Sequence, residues 1–165
     1  VLFRSKKYGY VTEQFETLLN RIISVFIMGL RSFIHRLTAP KPNYNTPEGE
    51  IKLVLIVNHG LRMGKGKIAA QAGHASVNSV MKCGQKKPGL LDLWLSQGQK
   101  KICLKVESAE ELEDIATKAR TQDILVTKVN DAGKTQIPAG SLTFIALGPD
   151  LESKLEPITG ELKLL

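Results

Sequence analysis

The chain has 165 residues, 42% of them apolar and 24% charged, which suits one domain with a core plus an appendage. Its net charge of +7 is concentrated early: residues 1–42 hold seven Lys and Arg against Glu13 and Glu16, so any nucleic-acid surface further on must come from local clustering. Two cysteines, Cys83 and Cys103, exclude a disulfide framework, and no paired-cysteine metal spacing occurs.

Residues 1–37 carry one amphipathic pattern. Phe15, Leu18, Leu19, Ile22, Phe26, Leu30, Phe33, Ile34 and Leu37 recur at helical spacing, which predicts a basic amphipathic helix. Its apolar run Ile22–Leu30 ends at Arg31 and is too short to cross a bilayer, which takes roughly twenty residues. Such a helix suits a membrane surface, a mitochondrial transit peptide, or docking on its own domain or a dimer partner. Residues 38–50, with Pro40, Pro42 and Pro47, read as a linker, and residues 51–165 as the compact domain.

Within that domain Ile51–Val57 is apolar at nearly every position, as a strand covered on both faces should be. Gly64–Gly66 then opens a helix running to about Lys82. Leu90–Leu95 is a short helical piece with Trp94 as its anchor, and Lys101–Val106 a second strand. Ser108 caps a further helix, with Glu110, Glu111 and Glu113 in its early turns where the helix dipole favours acids. Ile124–Val129 and Ser141–Leu147 complete the strands. Strands alternating with helices predict an α/β sandwich around a small, mostly parallel sheet. Cys103, inside an apolar run, is a packing residue, and the cluster Lys82, Lys86, Lys87 fits a solvated helix end.

Chemistry concentrates in two segments, each placed just beyond a strand end, where open α/β sheets put their ligands. In Met63-Gly64-Lys65-Gly66-Lys67-Ile68-Ala69-Ala70-Gln71-Ala72-Gly73-His74-Ala75, the residues Lys67, Gln71, His74 and the following Asn78 fall in one polar stripe. A solvated face would favour Glu and Lys; Gln, His and Asn among small apolar neighbours suit a cleft. The Gly-Lys-Gly-Lys turn offers backbone N–H groups at a helix start, a place for an anion, yet it is neither a P-loop nor a dinucleotide fingerprint. The second segment is Asp131-Ala132-Gly133-Lys134-Thr135-Gln136, in a turn before Pro138. Asp131 alone is an ordinary turn former. Facing a lysine, it would stay ionised and could orient a water that Thr135 helps to hold, while the ammonium steadies charge on an attacked carbonyl. No Ser–His or Cys–His arrangement is apparent, which leaves water attack on an activated acyl bond.

These motifs resemble the peptidyl-tRNA hydrolase family of archaea and eukaryotes. The resemblance spans residues 51–165 and adds Gly98-Gln99-x-Lys101, Gly148-Pro149 and the closing Thr159-Gly160-Glu161-Leu162-Lys163-Leu164-Leu165, all in order. It implies hydrolysis of the ester joining a stalled peptide to tRNA, with peptidyl-tRNA as the partner. It also implies an α/β fold: a single compact domain, a four-stranded mixed sheet flanked by helices, often a homodimer, with no metal or organic cofactor. On that basis Lys67, Gln71, Asp131 and Thr135 take the active-site positions. Lys65 and Lys134 become contacts to the tRNA backbone, with Arg62, His74 and Gln136 as further substrate-side residues.

One departure stands out. Where the family usually has Arg, a variable residue and Asp, this chain has Asn58-His59-Gly60, so a charged pair bordering the cleft is lost. That loss keeps a second reading open, a non-catalytic tRNA-binding or membrane-associated adaptor. The expected location is cytoplasmic, or mitochondrial through residues 15–37, where contact with a membrane surface is expected.

Overall fold

The computed structural model describes residues 48–132 and 137–165, and the expected N-terminal helix lies outside them. Five strands form one sheet: β1 (Ile51–Asn58), β2 (Lys101–Val106), β3 (Val126–Asn130), β4 (Leu142–Leu151) and β5 (Lys163–Leu164). Four α-helices among the described residues accompany them: α1 (Lys65–Lys86), α2 (Pro88–Ser96), α3 (Ala109–Thr121) and α4 (Glu152–Thr159). The sheet order is β3-β4-β1-β2-β5.

The expectation of a mixed sheet holds, and that of a mostly parallel one is corrected. Only β1 and β2 pair in parallel, with α1 and α2 as the crossover; β4 is antiparallel to both β1 and β3, and β5 to β2. The segment between β3 and β4 is too short for a crossover, which needs a dozen or more residues and usually a helix, so the chain must turn back. Among the described residues the sheet has five strands and not four, because Lys163–Leu164 pairs with Leu104–Lys105.

Every residue of β1 is buried. Ile51, Leu53, Leu55 and Val57 point to the face covered by α1 and α2, where Ala75, Cys83, Leu90 and Trp94 pack. Val54 and Ile56 point to the other face, against Leu112, Ile115, Ala116 and Ala119 of α3 and Leu155 of α4. A strand sandwiched this way has no polar face to spare, which is why its sequence does not alternate. Trp94 is fully buried, donates its indole N–H to the Lys100 carbonyl at 2.9 Å, and carries the Lys101 ammonium 4.6 Å above its ring. Burial pushes the Cys83 thiol up to about 11, and the half-buried Cys103 thiol is also raised by burial, as packing residues should be.

The helix ends follow the expected chemistry. Ser108 Oγ accepts from the Glu111 N–H at 3.2 Å, with Glu110 and Glu111 in the first turn and Lys118 and Arg120 in the last. The cluster Lys82, Lys86, Lys87 is only partly a solvated helix end. Lys82 Nζ donates to the Val126 carbonyl at 2.6 Å, and Lys87 pairs with Asp123 at 2.7 Å and faces Asp150 at 3.8 Å.

Ion pairs gather at the sheet end where β1 begins. Lys52 bonds Glu152 at 2.9 Å and Glu156 at 3.3 Å, tying α4 to the first strand, and Lys100 bonds Glu50 at 2.6 Å. The opposite end, where β1 and β3 finish side by side across β4, carries the polar segments.

Candidate active site

Because β4 runs opposite to both its neighbours, β1 and β3 point the same way and end on the same edge of the sheet. After β1 the chain makes a single 3₁₀ turn, His59–Leu61, and enters α1 through Arg62, Met63 and Gly64. Arg62 sits in the left-handed region at φ 49, and its N–H bonds the His59 carbonyl at 2.9 Å, reversing the chain into the helix. Buried Met63 anchors this corner in the α1-side core. After β3 the chain delivers Asp131 directly, its N–H bonding the Ser141 carbonyl at 2.9 Å and its carbonyl accepting from the Gly140 N–H at 2.9 Å.

Lys67 and Asp131, far apart in sequence, meet here. The ammonium lies 2.9 Å from Asp131 Oδ1, and the side chains are 16% and 5% exposed. Water therefore screens this pair far less than it would a surface pair. Gln71, one turn along α1 from Lys67, is buried and donates from Nε2 to the same Oδ1 at 3.3 Å. The carboxylate is thus fixed by a charge and by an amide, both from one helix face.

Thr143 is the residue that reading the sequence missed. Fully buried on β4, it donates its hydroxyl to the Val129 carbonyl at 2.9 Å, with Gln71 Oε1 3.3 Å away. One hydroxyl proton cannot serve both acceptors well, and the shorter contact takes it. Thr143 occupies the register shift between β4 and β3, where Val129 pairs with Phe144 and Asn130 with Leu142. The extra residue aims a hydroxyl at the end of β3 beside Gln71. In sequence it is one polar residue in an apolar strand, with no spacing signal to mark it.

A cleft of about 430 Å³ opens between α1 and β3, lined by Gln71, His74 and Asn78 on the helix and by Lys128, Asn130 and Asp131 on the strand side. Of the expected polar stripe of α1, Gln71, His74 and Asn78 wall this cleft, while Lys67 turns to Asp131 beside it. His74 and Asn78 are exposed into it, Gln71 is buried at its inner end, and Lys65 is exposed at the helix start. Gly64 caps α1 without a side-chain hydrogen bond, and an added Cβ at Gly64 or Gly66 would meet nothing within 4 Å among the described residues. The first-turn N–H groups thus have no side-chain cap among the described residues, and Arg62 is exposed nearby. Lys134, Thr135 and Gln136 lie outside the described residues.

The departure at Asn58-His59-Gly60 is built into the backbone. Asn58 is buried and donates from Nδ2 to the Leu142 carbonyl at 3.2 Å, clamping the ends of β1 and β4. His59 Nδ1 lies 3.4 Å from Glu107, and both side chains are exposed. At Gly60 an added Cβ would stand 2.0 Å from the Glu107 carbonyl oxygen, so this turn approaches the β2–α3 connection more closely than any side chain permits.

Residues 51–165 match the family model described as Peptidyl-tRNA hydrolase PTH2. A peptidyl-tRNA hydrolase of Methanocaldococcus jannaschii is 44% identical over 115 residues, covering 70% of this chain and 100% of that protein. One from Nanoarchaeum equitans is 48% identical over 110 residues, covering 67% of this chain and 96% of its own. The bovine protein named "Peptidyl-tRNA hydrolase 2, mitochondrial" is 40% identical over 116 residues, covering 70% of this chain and 65% of its own. A match along the whole of 51–165, joined to a lysine of the first helix that meets the aspartate after the third strand beside a polar cleft, places this chain in the peptidyl-tRNA hydrolase PTH2 family.

Proposed function

We propose that the chain hydrolyses the ester between a peptide and the 3′ ribose of tRNA, releasing tRNA for reuse, and that the Lys67–Asp131 cleft is where this happens. The observation that carries the reading is the 2.9 Å contact between those two side chains, the carboxylate of which lines a polar cleft. An aminoacyl ester is already activated, so the enzyme has little to supply beyond placement and charge stabilisation. Asp131 accepts a hydrogen bond from the attacking water. The water oxygen adds to the ester carbonyl, and the oxyanion that forms is steadied by the Lys67 ammonium. Collapse breaks the bond to the ribose oxygen, which takes up one of the attacking water's two protons as tRNA leaves; the other passes to solvent, and the peptide departs as a carboxylate. Gln71 keeps Asp131 in place, and Thr135 holds the water.

The α1 start supplies the anion site for the tRNA end, with Lys65 and Arg62 beside it and Lys134 and Gln136 from the turn after β3. His74 lines the cleft on the substrate side. The reading extends to a homodimer, tested by sedimentation across a concentration range. It extends also to a membrane-surface contact through residues 15–37, cytoplasmic or on a mitochondrial membrane. No helix among the described residues is long and apolar enough to cross a membrane. Liposome flotation with and without residues 1–42 tests the surface contact, and equal flotation of the two forms would end it.

The chemistry is tested by following release of free tRNA from an N-acetyl-aminoacyl-tRNA. Absence of turnover at micromolar enzyme, alongside salt-sensitive tRNA binding, would instead favour a non-catalytic tRNA-binding protein. That second reading draws on Asn58-His59-Gly60, which presents no charged pair at the cleft.

A further inference from the structure

We propose that the outer edge of β3 binds the peptide part of the substrate as an added parallel strand, so that the ester arrives at Lys67 and Asp131 along a backbone ladder. This rests on the hydrolase reading above and says how that site holds the peptide.

Among the described residues, β3 is the last strand on its side of the sheet. Its hydrogen-bonding direction is fixed by contacts on the inner side. The Leu125 carbonyl accepts from Gly148 N–H at 2.8 Å, the Val129 carbonyl from Thr143, and Asp131 exchanges bonds with Ser141 and Gly140. Residues 125, 127, 129 and 131 therefore turn their backbone groups toward β4. Successive residues alternate, so Val126, Lys128 and Asn130 turn theirs outward. The Val126 carbonyl is taken by Lys82 Nζ at 2.6 Å, an interaction available only on the outer side. That bond closes one end of the edge and leaves the stretch from Lys128 to Asn130.

This stretch is continuous with the cleft. Lys128, Asn130 and Asp131 line it on one side, with His74 and Asn78 opposite. The Lys128 ammonium is held by Glu113 of α3, on the far face of the sheet, so the side chain does not fill the groove. From Lys128 to Asp131 the strand covers about 10 Å, at about 3.3 Å per residue. A peptide of two to three residues spans that distance. Its last residue carries the ester, and that end lies at Asp131, so the peptide runs in the same direction as β3. Main-chain pairing gives affinity without reading side chains.

The experiment measures kcat/KM for the full chain on tRNA esters of N-acetylated peptides of one, two, three and five residues. The expected result is a rise of roughly tenfold from one residue to three, the return of one or two net backbone hydrogen bonds, and no further rise to five. N-methylation of single peptide nitrogens should abolish the gain at alternate positions only. Lys128→Pro removes an outward N–H from an edge strand, where proline is tolerated, and should flatten the length dependence. If that variant does not fold, the substrate series decides alone. Equal kcat/KM at every length would overturn the proposal while leaving the hydrolase reading intact, whereas turnover of none of the esters would remove both. A flat series with a dimer that Lys128→Pro converts to monomer would assign the edge to a second copy of the chain and also overturn it.

Discussion

At the residue scale the site hinges on a largely buried charge pair whose halves depend on each other. Removing either leaves the other charge in a poorly hydrated place, a loss felt in both stability and chemistry. Lys67→Ala and Asp131→Asn should each lower kcat/KM at least roughly tenfold in the tRNA-release assay. Comparable activity in either variant would separate that side chain from the reaction. Gly60 supports a different expectation. Gly60→Asp reinstates the acid usual in the family, yet its Cβ would collide with the Glu107 carbonyl oxygen, 2.0 Å away. The single change should lower the melting temperature and should not raise kcat/KM; an unshifted melting curve would show that the turn relaxes at no cost. Lys67, Gln71 and Asp131 were legible because polar residues at helical spacing and an acid after a strand both break the surrounding apolar pattern. Thr143 was not, because its role comes from a register shift between strands, and sequence spacing carries no trace of it.

At the scale of elements, local signals predicted what local forces decide. The strand Lys101–Val106 matches its expected bounds, and the Ser108 cap stands where the acidic first turn placed it. Ser108→Ala should cost about 1 kcal/mol by denaturant unfolding, since it strips the acceptor from the Glu111 N–H. No change would mean another acceptor takes over. Elements fixed by pairing were harder to foresee. Helix α4 holds Pro157 and is followed by Gly160, a sequence that resembles a breaker, and it exists because Leu155 is fully buried and Lys52 grips Glu152 and Glu156. Strand β5 has two residues and no periodicity to read. That grip also sets a pH response. For Lys52, burial alone would lower the pKa, but hydrogen bonds to Glu152 and Glu156 outweigh it and raise it above 10.5. Its contribution is thus complete below 10.5 and is lost as pH climbs through the higher folded value. Glu152 is held below 4.5 by its hydrogen bond from Lys52, so its contribution is present above 4.5 and fades as pH falls through the lower folded value. Lys52→Met should flatten both flanks of a stability–pH curve, and flanks as steep as in the parent would dissociate this contact from them.

At the scale of the whole molecule, the sheet separates two kinds of electrostatics. Peptidyl-tRNA binding at the cleft should weaken steeply with salt, as log Kd against log salt measured by filter binding, and a slope near zero would argue against phosphate contacts by Lys65 and its neighbours. The chain's net charge of +7 hid this division, since sequence says how many cations there are and not which ones folding commits to carboxylates. Lys52, Lys87 and Lys100 are committed at the end where β1 begins. A titration with potassium chloride therefore perturbs two remote regions at once: it erodes docking at one pole of the molecule and loosens bracing at the other. Activity plotted against ionic strength would blend the two, and a parallel melting curve at each concentration is the control that pulls them apart.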